Sequence, residues 1–170
     1  TKKEYSQVKK FQSQIKDISN QVHKKNITPA QAAGIDPKTI EAYFTYANGL
    51  YDSGEYEKAL NFYENINKLA PGDKRFLFGC AAASQMCQDY KKAIKYYTTI
   101  CSFDATDPLP YYHMVDCCLH LNDIQSAIAC LNVTIELSEK KEGLDELIER
   151  CKYLKGYFTK ELYKLEKERS

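Results

Sequence analysis

From Ile40 to Leu137 the chain repeats one arrangement: an apolar run stepping by three and four residues, a polar break, then a second such run. Steps of three and four place side chains on one face of a helix. In the first pair of runs, Tyr43, Tyr46, Ala47 and Leu50 share a face. Ser53-Gly54 breaks it, and Tyr56, Ala59, Leu60, Tyr63, Ile66 and Leu69 resume it until Pro71-Gly72. The small Ala47 and Ala59 let the two helices approach closely, while Tyr56 and Tyr63 fill the wider gaps. Read this way throughout, the pattern predicts helices over 40–53, 56–70, 74–87, 90–103, 108–121 and 124–138.

The flanks are helical too. Val8, Phe11, Ile15, Ile18 and Val22 step by three and four in a narrow seam, which predicts an amphipathic helix over 5–25. Such a two-in-seven stripe packs on the body of the chain or joins two copies in a homodimer, and it suits either. Thr28-Pro29-Ala30-Gln31 is a helix start, with a capping Thr, Pro in the first turn and Gln reaching back. Gly34 stops that short helix and Asp36-Pro37 caps the next, so 26–39 is a compact connector. After a break at Lys140–Gly143, a stripe of Leu144, Leu147, Ile148, Cys151, Leu154, Phe158, Leu162 and Leu165 predicts a helix over 144–166. A repeat array needs such an end piece with a polar outer face.

The pairs recur at an interval of 34 residues. Ala81, Tyr90, Ala93, Tyr97, Ile100 and Phe103 stand where the first unit has Ala47, Tyr56, Ala59, Tyr63, Ile66 and Leu69. Val115, Ile124, Ala127, Leu131, Thr134 and Leu137 stand there in the third. Three units in register without insertion resemble tetratricopeptide repeats. No Trp opens a unit, and the closing Pro71 becomes Ala105 and then Glu139. The resemblance implies an all-α protein: three tandem tetratricopeptide repeats (40–73, 74–107, 108–141) forming a curved helical array. Residues 1–39 supply an N-terminal amphipathic helix and connector, and 142–170 a C-terminal capping helix.

Composition narrows the function. The net charge of +1 conceals a basic arm, with seven Lys and two acids in 1–25, and an acidic body, with eight Lys/Arg against thirteen acids in 26–138. No basic stripe lies on the repeats, which argues against nucleic acid as partner. There is no run of 18 apolar residues to span a membrane and no stretch like a signal peptide. Seven cysteines (80, 87, 101, 117, 118, 130 and 151) are scattered inside predicted helices, as expected of small buried thiols in a reducing cytoplasm.

Nothing points to an enzyme. There is no Gly-rich phosphate loop, no G-x-S-x-G and no C-x-x-C. His113, Cys117 and His120 lie at i, i+4 and i+7 on one predicted helix, a spacing that could face a metal. Cys117 falls where the unit's two helices pack, however, and no fourth ligand is evident, so we expect neither metal nor cofactor. Glu55, Glu57, Asp89 and Asp123 sit at inter-helix turns, where acids cap or solvate helices.

What remains is a surface. In the usual geometry of this repeat, positions 2, 5, 9 and 12 of each unit line the concave groove. They are Glu41, Phe44, Asn48 and Tyr51; then Arg75, Phe78, Ala82 and Gln85; then Leu109, Tyr112, Asp116 and Leu119. Position 5 is aromatic three times, and rings along a groove make pockets for apolar side chains of an extended peptide. The opposing reading is that these rings pack on neighbouring helices.

Beyond the generic repeat, Ile35 to Leu137 resembles the class II chaperones of type III secretion, the SycD/LcrH/IpgC-like group. The residues that carry it are FLFGCAAASQM (Phe76–Met86) and DPLPYYHMVDCCLHL (Asp107–Leu121), together with the order of helix, connector, three repeats and closing helix. The resemblance implies an all-helical protein of the bacterial cytoplasm, often dimeric through its N-terminal region. It implies a chaperone that grips an extended segment of a secreted client, a translocator or gatekeeper of the secretion system, and keeps it soluble and export-competent. Phe44, Tyr51, Phe78 and Tyr112 match groove-lining places, and Asn48 replaces an often larger apolar residue. His113 and Cys117 belong to the resemblance and read as structural. A scaffold or assembly factor that stays bound to its partner is the alternative.

Overall fold

The computed structural model describes residues 13, 16, 17, 22 and 25–168. The expected helix over 5–25 lies largely outside the described residues. Among those described there are eight helices and no strand: α1 Pro29–Ala32, α2 Pro37–Asp52, α3 Tyr56–Leu69, α4 Lys74–Met86, α5 Tyr90–Phe103, α6 Pro108–His120, α7 Ile124–Ser138 and α8 Asp145–Glu168. The all-α class holds, and each expected helix from residue 40 onward is found with its ends within three residues.

The helix ends follow from local chemistry. Thr28 and Gln31 form a reciprocal capping box, Gln31 N–H donating to Thr28 Oγ1 (3.2 Å) and Thr28 N–H to Gln31 Oε1 (2.8 Å). Asp36 and Asp107 each precede a Pro and accept from the backbone N–H two residues on, at 2.8 and 3.0 Å. Asp89 and Asp123 cap α5 and α7 by accepting from Lys92 and Ser126 N–H, whereas Glu55 makes no cap bond and pairs with Lys58.

The turn inside each pair is built the same way three times. Glu55, Asp89 and Asp123 N–H each donate to the carbonyl five residues back, on Leu50, Ser84 and Cys118, at 2.9 Å. The residue before each has left-handed φ: Gly54 at 84°, Gln88 at 63° and Asn122 at 58°. This 6→1 bond over a left-handed residue is a Schellman stop. Only the first unit uses the residue that adopts this conformation without steric cost.

The described residues form two compact units that divide between Phe76 and Leu77, inside α4. In the first, α2 packs on α3 through Ala47 and Ala59, both fully buried, with Tyr63 and Ile66 filling the space beside them. Tyr43 and Tyr46, expected on the α2 core face, are exposed instead. Only Ile40, Ala47 and Leu50 of that helix are buried, and Tyr46 (56% exposed) rests its edge against Phe62 at 4.9 Å.

In the second unit, Leu77, Ala81, Ala93, Tyr97, Ile100, Met114 and Cys117 make one buried cluster. Val115, Cys118, Ala127, Leu131 and Cys151 make another, which ties α8 to α6 and α7. Phe103 departs from the pattern: it is 55% exposed, in the last turn of α5 beyond Ile100. No described helix is long and apolar enough to cross a membrane.

Candidate functional site

In the first unit the repeat positions form a compact polar–aromatic face. The Arg75 guanidinium forks onto Glu41 (Nη2–Oε1 2.7 Å, Nη1–Oε2 3.1 Å) and also onto Asp73 (Nη2–Oδ2 2.7 Å). Its carbon lies 5.2 Å from the Phe44 ring centroid and 5.4 Å from that of Phe76. The hydrogen bonds from Arg75 hold the Glu41 and Asp73 carboxyls below their ordinary values. Phe44 is half-buried, at 5.2 Å from Phe76 and 6.0 Å from Tyr63.

Asn48 is explained by its neighbour. Its Oδ1 accepts from the hydroxyl of buried Tyr63 at 2.6 Å. The corresponding hydroxyl one repeat later, on Tyr97, donates to Gln85 Oε1 at 3.1 Å, so Ala82 can stand where Asn48 does. Tyr51 packs edge-on against Tyr56 at 5.3 Å, and burial raises its phenol.

In the second unit Phe78 is half-buried, edge-on to Tyr97 (5.5 Å) and His113 (5.4 Å). Gln85 Nε2 donates to Asp116 Oδ2 at 2.6 Å, and His120 Nε2 stands 3.7 Å from Asp116 Oδ1. Tyr112 is half-buried beside His113 (5.8 Å), with the Arg150 guanidinium 5.8 Å above its ring. Leu109 is exposed at the start of α6. The rings at position 5 therefore pack on neighbours and remain only partly buried.

The three metal-like residues of α6 have separate roles. His113 stacks on Tyr97 (5.5 Å, 9° between planes) and His120 on Tyr90 (4.3 Å, 3°). Burial lowers the His113 imidazole below its ordinary value and pushes the Cys117 thiol up to about 12. Among the described residues no group of three or more His, Cys, Asp or Glu could hold a metal ion.

A cleft of about 320 Å³ opens between α6 and α8. Tyr112, Val115 and Leu119 line it from α6, and Arg150, Leu154 and Phe158 from α8. The α6 side was legible as repeat positions 5 and 12. The α8 side was missed, because its stripe reads as pure cap. The available signal was Arg150 one turn from Leu154, which is one turn from Phe158.

Residues 40–73 match the family model for the tetratricopeptide repeat. Over 123 residues the chain is 29% identical to low calcium response locus protein H of Yersinia pestis, covering 72% of this chain and 73% of that protein. The type III secretion translocator chaperone SycD of Yersinia enterocolitica superposes with a TM-score of 0.70 at 27% identity. That match spans 77% of this chain and 98% of SycD. The chain is a homologue of the SycD/LcrH class II chaperones of type III secretion. SycD has also been solved with a peptide of the translocator YopD (TM-score 0.69, 27% identity, 75% and 97% coverage) and as an alternative dimer.

Proposed function

We propose that this protein is a type III secretion chaperone of the bacterial cytoplasm. It holds an extended segment of a secreted translocator, or of a gatekeeper-type client, and keeps it soluble and competent for export. The carrying observation is the homology to SycD, a chaperone that has been solved with a translocator peptide and nearly all of whose length this chain matches. Each unit offers its own face for client side chains: Glu41, Phe44, Asn48, Tyr51 and Arg75 in the first, and Phe78, Ala82, Gln85, Leu109, Tyr112 and Asp116 in the second. Half-buried rings support this reading, since a ring already held by its neighbours and still partly exposed accepts an apolar side chain at little ordering cost.

Calorimetric titration of the chain with the N-terminal segment of a translocator from the same bacterium tests it. Saturable binding with a Kd of about 1 μM or tighter is expected. No detectable heat or anisotropy change at about 100 μM would contradict it.

A further inference from the structure

The chemistry of the cleft between α6 and α8 is more specific than a place for an apolar side chain. Val115, Leu119, Leu154 and Phe158 give it apolar walls, and Tyr112 gives it a ring. Two charges stand at it. Asp116 accepts a hydrogen bond from Gln85 Nε2 at 2.6 Å, and His120 Nε2 stands 3.7 Å away. Arg150 is not engaged: among the described residues no carboxylate pairs with it, and its guanidinium lies over the Tyr112 ring at 5.8 Å. Acids are near enough in sequence, but Glu149 and Glu139 stand by Lys152, at 3.7 and 3.5 Å. A guanidinium over an aromatic ring keeps its edge N–H donors available for a planar carboxylate.

We infer that this cleft, with Arg150 at its rim, is a subsite for an apolar client side chain that has an acidic residue close by in an extended segment. The spacing follows from strand geometry: side chains two residues apart point the same way and lie about 6.6 Å apart. An apolar side chain against the walls and a carboxylate two residues along can then face the cleft together, the carboxylate toward the guanidinium over the Tyr112 ring. The inference deepens the client-binding reading and rests on it. It makes α8 part of the recognition surface, and Arg150 the residue that selects for charge.

The test uses the full chain labelled with nitrogen-15 and three tripeptides: N-acetyl-Leu-Ser-Asp-amide, its Asn counterpart and its Lys counterpart. Chemical-shift titrations at neutral pH read both affinity and place. The Asp peptide should move the Arg150 Nε–H resonance and the amides of Tyr112 and Phe158. It should bind about three- to fivefold more tightly than the Asn peptide, the size of one solvent-exposed ion pair, and the Lys peptide should bind most weakly. Arg150→Gln, at an exposed position, should leave the rest of the spectrum in place and make the Asp and Asn peptides equal. Raising salt to about 0.5 M should do the same.

Equal affinity of the Asp and Asn peptides for the wild-type chain would overturn the charge selection. Shifts confined to other regions, or none at all, would overturn the subsite. Either result is distinct from failure of the chaperone reading, because the whole translocator segment can bind when this cleft contributes nothing.

Discussion

Phe44 packs in the first unit and lies on the proposed client face, so its truncation tests stability and binding separately. The ring pairs with Phe76 at 5.2 Å and Tyr63 at 6.0 Å, and Arg75 lies over it at 5.2 Å. Each aromatic pair contributes about 0.5–1.5 kcal/mol beyond area burial. The guanidinium contact at an exposed site adds about 0.5–1 kcal/mol. Because the ring is only half-buried, the loss of transfer energy in Phe44→Ala is well below the full value, and the expected destabilisation is about 2–3 kcal/mol. A fully buried Phe truncated to Ala would cost about 3–5 kcal/mol. Phe44→Leu keeps much of the apolar volume and loses the ring contacts, so its cost should be about half as large. Urea denaturation followed by circular dichroism measures both. Calorimetry on the folded variants should then show client binding weakened by about tenfold or more for Phe44→Ala. A stability loss under about 0.5 kcal/mol would refute the packing account. Wild-type affinity in a folded variant would remove this ring from the client surface.

Other substitutions probe other parts of the account. Ala59→Leu forces bulk into the α2–α3 contact where both alanines are fully buried, and should cost about 1–3 kcal/mol by urea denaturation. Gln88 carries a left-handed φ of 63° where the first unit has Gly54, so Gln88→Gly should raise stability by about 1 kcal/mol. Burial lowers the His113 pKa, so below pH of about 6.5 the unfolded chain takes up a proton that the folded chain refuses. Stability should therefore fall as pH drops from about 6.5 toward the depressed folded value, and His113→Leu should flatten that limb of a melting-temperature profile. Burial pushes the Cys117 and Cys130 thiols up to about 12, so iodoacetamide at pH 8 should leave both unmodified until urea is added, as read by mass spectrometry of peptides.

The helices were legible because period, breaks and caps agree. Asp36-Pro37 caps α2, which begins at Pro37, three residues ahead of the expected start at 40; α6 begins at Pro108 as expected, and the break at Ser53-Gly54 is a left-handed turn. Gln88 and Asn122 were harder to read as the same turn, since neither is Gly; backbone hydrogen bonding imposes the conformation on them. Tyr43 and Tyr46 misled because aromatic residues at three-residue steps look like core, while the close Ala47–Ala59 approach leaves no room for them. Asn48 looked anomalous in one dimension, because its partner Tyr63 lies 15 residues away. The α8 wall of the cleft was hidden for a related reason. Leu154 and Phe158 belong to the stripe that docks α8 on the second core cluster, and periodicity cannot show that the same side chains also face an opening.

The most direct test of the central claim is co-expression of the chain with a full-length translocator from the same bacterium, followed by fractionation of the secreted material. The account predicts a client that is insoluble alone, soluble and co-purifying with this chain, and exported without it. A client that stays insoluble beside the chain, or a chain that remains attached to the finished assembly, would contradict it.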